Sequence, residues 1–234
     1  APATMIMQVH DELVFEAPEE ELDALEALVR EAAGEIPVAI FRPGIVVGDS
    51  QTGVTQSFNV LYWPLKVFAR RLVLCIPANP KGVVDIVPID YVRDAICHIR
   101  DGQPADGTTF HITCGLRNIV TVDQLIKIAA RDFGVWTPPY VSPVRTYRLL
   151  APLLKLVLRG ERRKVLSVGE QYLPYLDHAA LFDDRNAQAA LAGSGIAAPP
   201  VTSYFQKLIA YCIETDWGKR PVPDVKPASN IHNS

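Results

Sequence analysis

The stretch from Glu35 to Gly53, EIPVAIFRPGIVVGDSQTG, constrains the fold more than any other part of the chain. An apolar run, Val38 to Phe41, ends at Arg42-Pro43-Gly44, and a second, Ile45 to Val47, ends at Gly48-Asp49-Ser50. Short apolar runs bounded by Pro and Gly read as buried strands. Pro43 removes a ladder donor and fixes φ, so the strand must stop or bulge there. Gly44 lets a ligand or another backbone come close. A buried strand that opens at its C-terminal end into a Gly/Pro loop is where open α/β sheets take their ligands.

The whole chain, with 234 residues, 49% hydrophobic and 21% charged, has room for one large domain or two small ones. A formal net charge of −3 argues against nucleic acid as a partner of the whole chain. Cys75, Cys97, Cys114 and Cys212 are scattered without a CxxC pair, which fits thiols in a reducing compartment. No basic start followed by an apolar core is present, so no signal peptide is expected. The most apolar stretch, Leu149 to Leu158, is far shorter than the roughly 20 residues of a membrane span and contains Lys155. A cytoplasmic protein is expected.

Taken in order, TMIMQVHDELVFE from Thr4 predicts two short strands around a turn at His10-Asp11. Residues 19 to 33 predict a helix with Leu22, Leu25, Leu28 and Val29 at helical spacing, ended by Gly34. Ser57 to Arg71 predicts a helix disturbed by Pro64, Leu72 to Ile76 a strand, and Val83 to Val87 another. Asp90 can cap the next helix, which runs to about Arg100. A strand over Thr108 to Thr113 and a helix over Thr121 to Phe133, capped by Thr121 and ended by Gly134, follow. Residues 142 to 164 form an amphipathic basic segment in which Arg145, Arg148, Lys155, Arg159, Arg162, Arg163 and Lys164 alternate with leucines. Such a segment fits either a helix over a substrate pocket or a docking surface for an acidic carrier, coenzyme A phosphates or an anionic membrane. Helices near Phe182 to Leu191 and over Val201 to Thr215 close the chain, before a Pro-, Asn- and Ser-rich tail expected to be disordered.

Two family resemblances sit on these residues. The run RPGIVVGDS, the DIVPIDYVRDAI step and the helix at Phe182 to Leu191 resemble the extended short-chain dehydrogenases/reductases, in particular the thioester or fatty-acyl reductase-like group. This resemblance covers about residues 28 to 215. It implies an α/β fold, a partial Rossmann-like sheet with a helical substrate subdomain. It also implies NADP or NAD as cofactor and an acyl thioester or related carbonyl as substrate, offered as acyl-CoA or on an acyl carrier protein. The nicotinamide-side candidates are Pro43, Gly44, Ile45 and Val46, and the substrate-side candidates are Ser50, Asn59, Asp85 and Asp90. The QVHDE run at Gln8 to Glu12 resembles the last palm motif of family-A DNA polymerases over about residues 4 to 30. There a turn presents carboxylates to catalytic magnesium, which would make Asp11, with Glu12 beside it, the metal ligand. No second aspartate strand, nucleotide-holding fingers or basic cleft accompanies it.

In family order the Gly-rich pyrophosphate turn and the catalytic Tyr-xxx-Lys pair precede the RPG strand. Two later matches are decoys. Gly193-Ser194-Gly195-Ile196-Ala197-Ala198 fits GxGxxA but follows a helix and precedes Pro199-Pro200, so it reads as a helix-ending loop. Tyr62-Trp63-Pro64-Leu65-Lys66 fits Tyr-xxx-Lys but falls after the RPG strand, so it reads as core packing. No catalytic residue is assigned. The expectation is therefore a chimera joined near residues 28 to 33. Residues 1–33 would form a polymerase-like hairpin and helix, 34–215 the C-terminal part of a reductase, and 216–234 a tail. Such a chain is expected to be truncated and weakly active or inactive alone. Two alternatives are a polymerase fragment using Asp11 and a non-catalytic module binding through residues 145–164. Missing early strands would leave a sheet edge open to homo-oligomer pairing unless the N-terminal hairpin covers it.

Overall fold

The computed structural model describes residues 4–9, 12–16, 18–33, 38–58, 61–102, 106–141, 149, 152, 158–169 and 181–220. The chain enters through a hairpin, β1 (Thr4–Val9) and β2 (Glu12–Glu16), and a helix, α1 (Leu22–Ala33). The central strand follows in two pieces, β3 (Val38–Pro43) and β4 (Ile45–Val47), and then α2 (Tyr62–Ala69). Next come β5 (Val83–Val84), β6 (Ile86–Pro88), α3 (Ile89–Gly102), β7 (Asp106–Ile112), β8 (Val120–Thr121) and α4 (Val122–Phe133). The last described helices are α5 (Glu161–Gly169), α6 (Arg185–Ala190) and α7 (Val201–Glu214).

The strands pair two by two. β3 runs parallel to β7 and β4 parallel to β6, whereas β5–β8 and β1–β2 are antiparallel. The change of partner happens at Gly44. Its N–H donates to the Ile112 carbonyl at 3.0 Å, and the next N–H, of Ile45, donates to the Asp85 carbonyl at 2.9 Å. One strand thus serves two parallel pairs with a pivot between them. A strand has two faces, and here each faces a different core. Val47 and Ile86 join Tyr62, Leu65, Phe68, Leu125, Tyr204, Phe205 and Leu208 in a helical core under α2, α4 and α7. Phe41, Val46 and Val87 join Val92, Ile99, Phe110 and Ile112 in a second core under α3, where Phe41 and Phe110 stack at 5.6 Å.

α1 lies against the β3–β7 pair through charge. Glu26 Oε2 pairs with Arg42 at 2.7 Å, Glu26 Oε1 with Arg30 at 2.6 Å, and the Thr109 hydroxyl donates to the same carboxylate at 3.0 Å. Arg30 also donates to the Gly107 carbonyl. This network joins residues on both sides of the expected seam at 28–33. The hairpin forms a two-stranded sheet of its own and does not pair with β3. It therefore does not extend that sheet as a covering strand, contrary to expectation.

Other differences have local causes. α2 begins at Tyr62 rather than Ser57, and Pro64 is its third residue. The first-turn amides of a helix have no intrahelical partner, so Pro there removes nothing and does not disturb the helix. The expected strand over 72–76 reduces to a single bridge, Ile76 to Tyr140. The expected strand over 83–87 is cut at Asp85 into β5 and β6. α4 forms as predicted: Thr121 and Gln124 make a reciprocal capping box, and Gly134 closes the helix in the left-handed conformation at φ 63°. The basic segment is interrupted, because Leu158 to Gly160 is not helical and α5 starts at Glu161. Arg145, Arg148 and Lys155 lie outside the described residues. Residues 216–220, expected in the tail, continue past α7 in a packed turn. Trp217 borders the helical core, and its ring lies 6.2 Å from that of Phe133.

Candidate functional site

The two parallel pairs run in the same direction, and the reductase-type candidates stand at their C-terminal ends. In the first group, Pro43 closes β3 opposite Ile112 and is exposed. Gly44 follows at the pivot. A Cβ at this position would stand 2.8 Å from Asp85 Oδ1 and 3.1 Å from the Asp85 carbonyl, so no other residue fits without displacement. What comes close to Gly44 is thus Asp85 of this chain. Asp85 in turn accepts the Cys114 N–H at 2.8 Å and pins the end of β7. Burial raises the Asp85 pKa, and the charge of Asp184 adds to it against the Cys114 hydrogen bond. Asp184 accepts the Thr113 hydroxyl at 3.0 Å. Tyr91 packs against the same cluster and is pushed up to about 12 by burial and by the charges of Asp184 and Asp85. Ile45 and Val46 are half-buried, one against each core.

The second group follows β4 and β6 in the chain. Ser50 donates both its N–H and its hydroxyl to the Asp90 carboxylate, at 2.8 and 2.6 Å. Asp90 stands in the first turn of α3, but this carboxylate holds the 48–50 loop rather than capping its own helix as expected. Lys207 of α7 donates to the Ser50 carbonyl at 3.0 Å. Asp49 folds the rest of the loop by accepting the Gln51 and Thr52 N–H groups at 2.9 and 2.8 Å. Burial acts to raise its pKa, but the hydrogen bonds from Thr52 and Gln51 outweigh it and leave the carboxyl below its ordinary range. Ser50 and Asp90 are therefore brought together, and Asp85 stands apart from them at the Gly44 pivot. Asn59 lies outside the described residues, as does Asp11. The backbone of Glu12 belongs to β2.

The Tyr62–Lys66 match does not form a catalytic pair. Tyr62 is 1% exposed, and its hydroxyl accepts the Gly48 N–H at 2.8 Å. Burial pushes it up to about 12. Lys66 instead lines an open groove between α2 and α5 of about 230 Å3. Gly193 to Ala198 is a loop closed by Ser194, whose hydroxyl donates to the Leu191 carbonyl and accepts the Ile196 N–H. Among the described residues there is no cluster of three or more His, Cys, Asp or Glu able to hold a metal ion, and no helix is long and apolar enough to cross a membrane. Sequence reasoning passed over Asp49, Lys207 and Asp184, whose partners lie up to 157 residues away in the chain. It weighed Lys66 only within the Tyr-xxx-Lys match and missed the stripe that Lys66 forms with Trp63, Val67 and Arg70, whose i, i+3, i+4, i+7 spacing was the available signal.

The chain is similar to known proteins in sequence and in fold. Residues 24–96 match the NAD-binding family model described as Male sterility protein. A non-canonical nonribosomal peptide synthetase of Cladobotryum sp is 38% identical over 96 residues, which is 41% of this chain and 9% of that protein. The alcohol-forming fatty acyl-CoA reductase of Simmondsia chinensis is 23% identical over 210 residues, 70% of this chain and 42% of the relative. Among solved structures, the terminal R domain of the myxalamid PKS-NRPS biosynthetic pathway superposes with a TM-score of 0.62 at 22% identity, over 84% of this chain and 49% of that one. The chain therefore spans less than half the length of these relatives. The fold is the Rossmann-type α/β fold of the extended short-chain reductases and epimerases. The family match begins inside α1, upstream of residue 28. The polymerase resemblance of residues 4–30 finds no support in these comparisons.

Proposed function

We propose that this chain forms the nicotinamide-side strand and the substrate subdomain of an NAD(P)-dependent reductase acting on an acyl thioester or related carbonyl. The observation that carries this is the pivot at Gly44. One strand ends a parallel pair at Pro43 and starts another at Ile45, and the loop from Gly48 follows the carboxyl end of the second pair, where dinucleotide folds take their ligands. The family match over residues 24–96 supports NADP or NAD as cofactor. Pro43, Gly44, Ile45 and Val46 would border the nicotinamide, through backbone and apolar surface rather than charge. Ser50 and Asp90 would shape the substrate side by holding the 48–50 loop, and Asp85 would fix Gly44 and Cys114 at the pivot. The thioester would arrive as acyl-CoA, as the name of the Simmondsia chinensis relative suggests, or on an acyl carrier protein.

With Tyr62 committed to Gly48 and Lys66 turned into another groove, the Tyr62–Lys66 match supplies no proton-transfer pair at the loop. Mixed with NADPH and a fatty acyl-CoA, the chain alone is expected to leave the reduced-nicotinamide absorbance unchanged. Steady NADPH oxidation would overturn this expectation, and Tyr62→Phe would then show whether that hydroxyl takes part. The grouping of residues 1–33, 34–215 and 216–234 is likewise a proposal, with α1 tied to the second group through Glu26. Limited proteolysis tests that tie, since cleavage before residue 22 should leave α1 on the protected core.

A further inference from the structure

The groove between α2 and α5 has a composition that the proposed chemistry at the strand pivot does not use. α2 offers it Trp63, Lys66 and Val67, with Arg70 at its C-cap, and α5 offers Glu161, Lys164 and Val165, with Leu72 at one end. Residues three and four apart on a helix share a face, so these are two facing stripes rather than a chance cluster. The opposite side of α2 carries Tyr62, Leu65 and Phe68 into the core. The charges facing the groove are unequal. Lys66, Arg70 and Lys164 line it, and Lys219 stands near enough to act on Lys66. Against them are Glu161 and Asp216. Asp216 is shared between Arg70 at 3.8 Å and Lys219 at 4.0 Å, both long for an ion pair. Among the described residues, no carboxylate lies within ion-pairing distance of Lys66 or Lys164. Burial, and after it the charges of Arg70 and Lys219, lower the Lys66 pKa. An anion entering here would relieve that repulsion.

We propose that this groove binds the phosphate end of coenzyme A, with Lys66, Arg70 and Lys164 on the phosphates and Trp63, Val67, Leu72 and Val165 against the adjoining organic part. Charge complementarity argues for an anion, and the guanidinium of Arg70 suits phosphate oxygens. The indole and the apolar wall argue for an organic phosphate over a free inorganic ion. The choice of coenzyme A rests on the reductase reading; the anion site does not.

Calorimetric titration of the full chain tests this, with coenzyme A, pyrophosphate and phosphate-free pantetheine as probes. Coenzyme A is expected to bind and to be displaced by pyrophosphate, and pantetheine is expected not to bind. The double variant Lys66→Gln, Arg70→Gln should weaken coenzyme A binding by about tenfold or more, the loss expected from removing charge-assisted hydrogen bonds. The Trp63 indole N–H resonance should move on addition of coenzyme A, a readout independent of the variants' folding. Absence of coenzyme A binding, or binding that the variant and pyrophosphate leave unchanged, overturns the proposal. Coenzyme A binding here without any NADPH contact at residues 43–48 would sink the reductase reading and leave this site standing. NADPH contact there without coenzyme A binding would do the reverse.

Discussion

At the scale of single residues, the site is built from close approaches that admit little change. Gly44→Ala would set a methyl group 2.8 Å from Asp85 Oδ1. It should cost about 1–3 kcal/mol by overpacking, read as a lower urea midpoint with an unchanged slope. Tyr62→Phe should cost about 1–3 kcal/mol, because it leaves the Gly48 N–H buried without its acceptor. Glu26 gives a pH-dependent test. Burial acts to raise its pKa, but the bonds from Arg30 and Thr109 and the charges of Arg42 and Arg30 leave it below the ordinary value. A carboxylate held low in the folded state contributes stability above its unfolded pKa and loses it as pH falls through its folded one. The stability difference between the native chain and Glu26→Gln should be about 1 kcal/mol near neutrality, should shrink as pH falls below the ordinary glutamate pKa, and should vanish once the lowered folded-state pKa is passed. A difference that persists there would mean that Glu26 acts through packing alone.

At the scale of elements, the readable parts were those fixed by local chemistry. The Thr121 to Gly134 helix was legible because both of its ends are written next to it, as a capping box and a left-handed glycine. Thr121→Ala should therefore cost about 1 kcal/mol in thermal or urea unfolding. The strand break at Pro43-Gly44 was legible for the same reason. The change of partner at that break was not, since Ile112 and Asp85 come from distant segments that no local pattern links. Asp90 shows the limit more sharply: it stands where a helix-capping residue is expected, yet the loop at Ser50 takes its carboxylate. Pro64 was misread in the other direction, because its effect depends on where the helix begins and helix ends are weakly written. The decoys were separable by context alone, and the structure adds what Tyr62 and Ser194 do instead.

At the scale of the whole molecule, two cores meet on either side of the β4–β6 pair, so a change at the pivot should be felt by both. Among the described strands β3 pairs with β7 alone. An unpaired strand side invites pairing with another chain. Light scattering across a concentration series should show association that proline placed at Ala39 weakens; a monomer at every concentration would contradict it. The central claim is that NADP or NAD meets this chain at the Gly44 pivot. Amide-resolved NMR of the chain titrated with NADPH addresses it most directly. The account predicts that the amide signals of Gly44, Ile45, Val46 and Gly48 move together and saturate. Signals that stay fixed at the pivot, or move only at Trp63, Lys66 and Arg70, would contradict it.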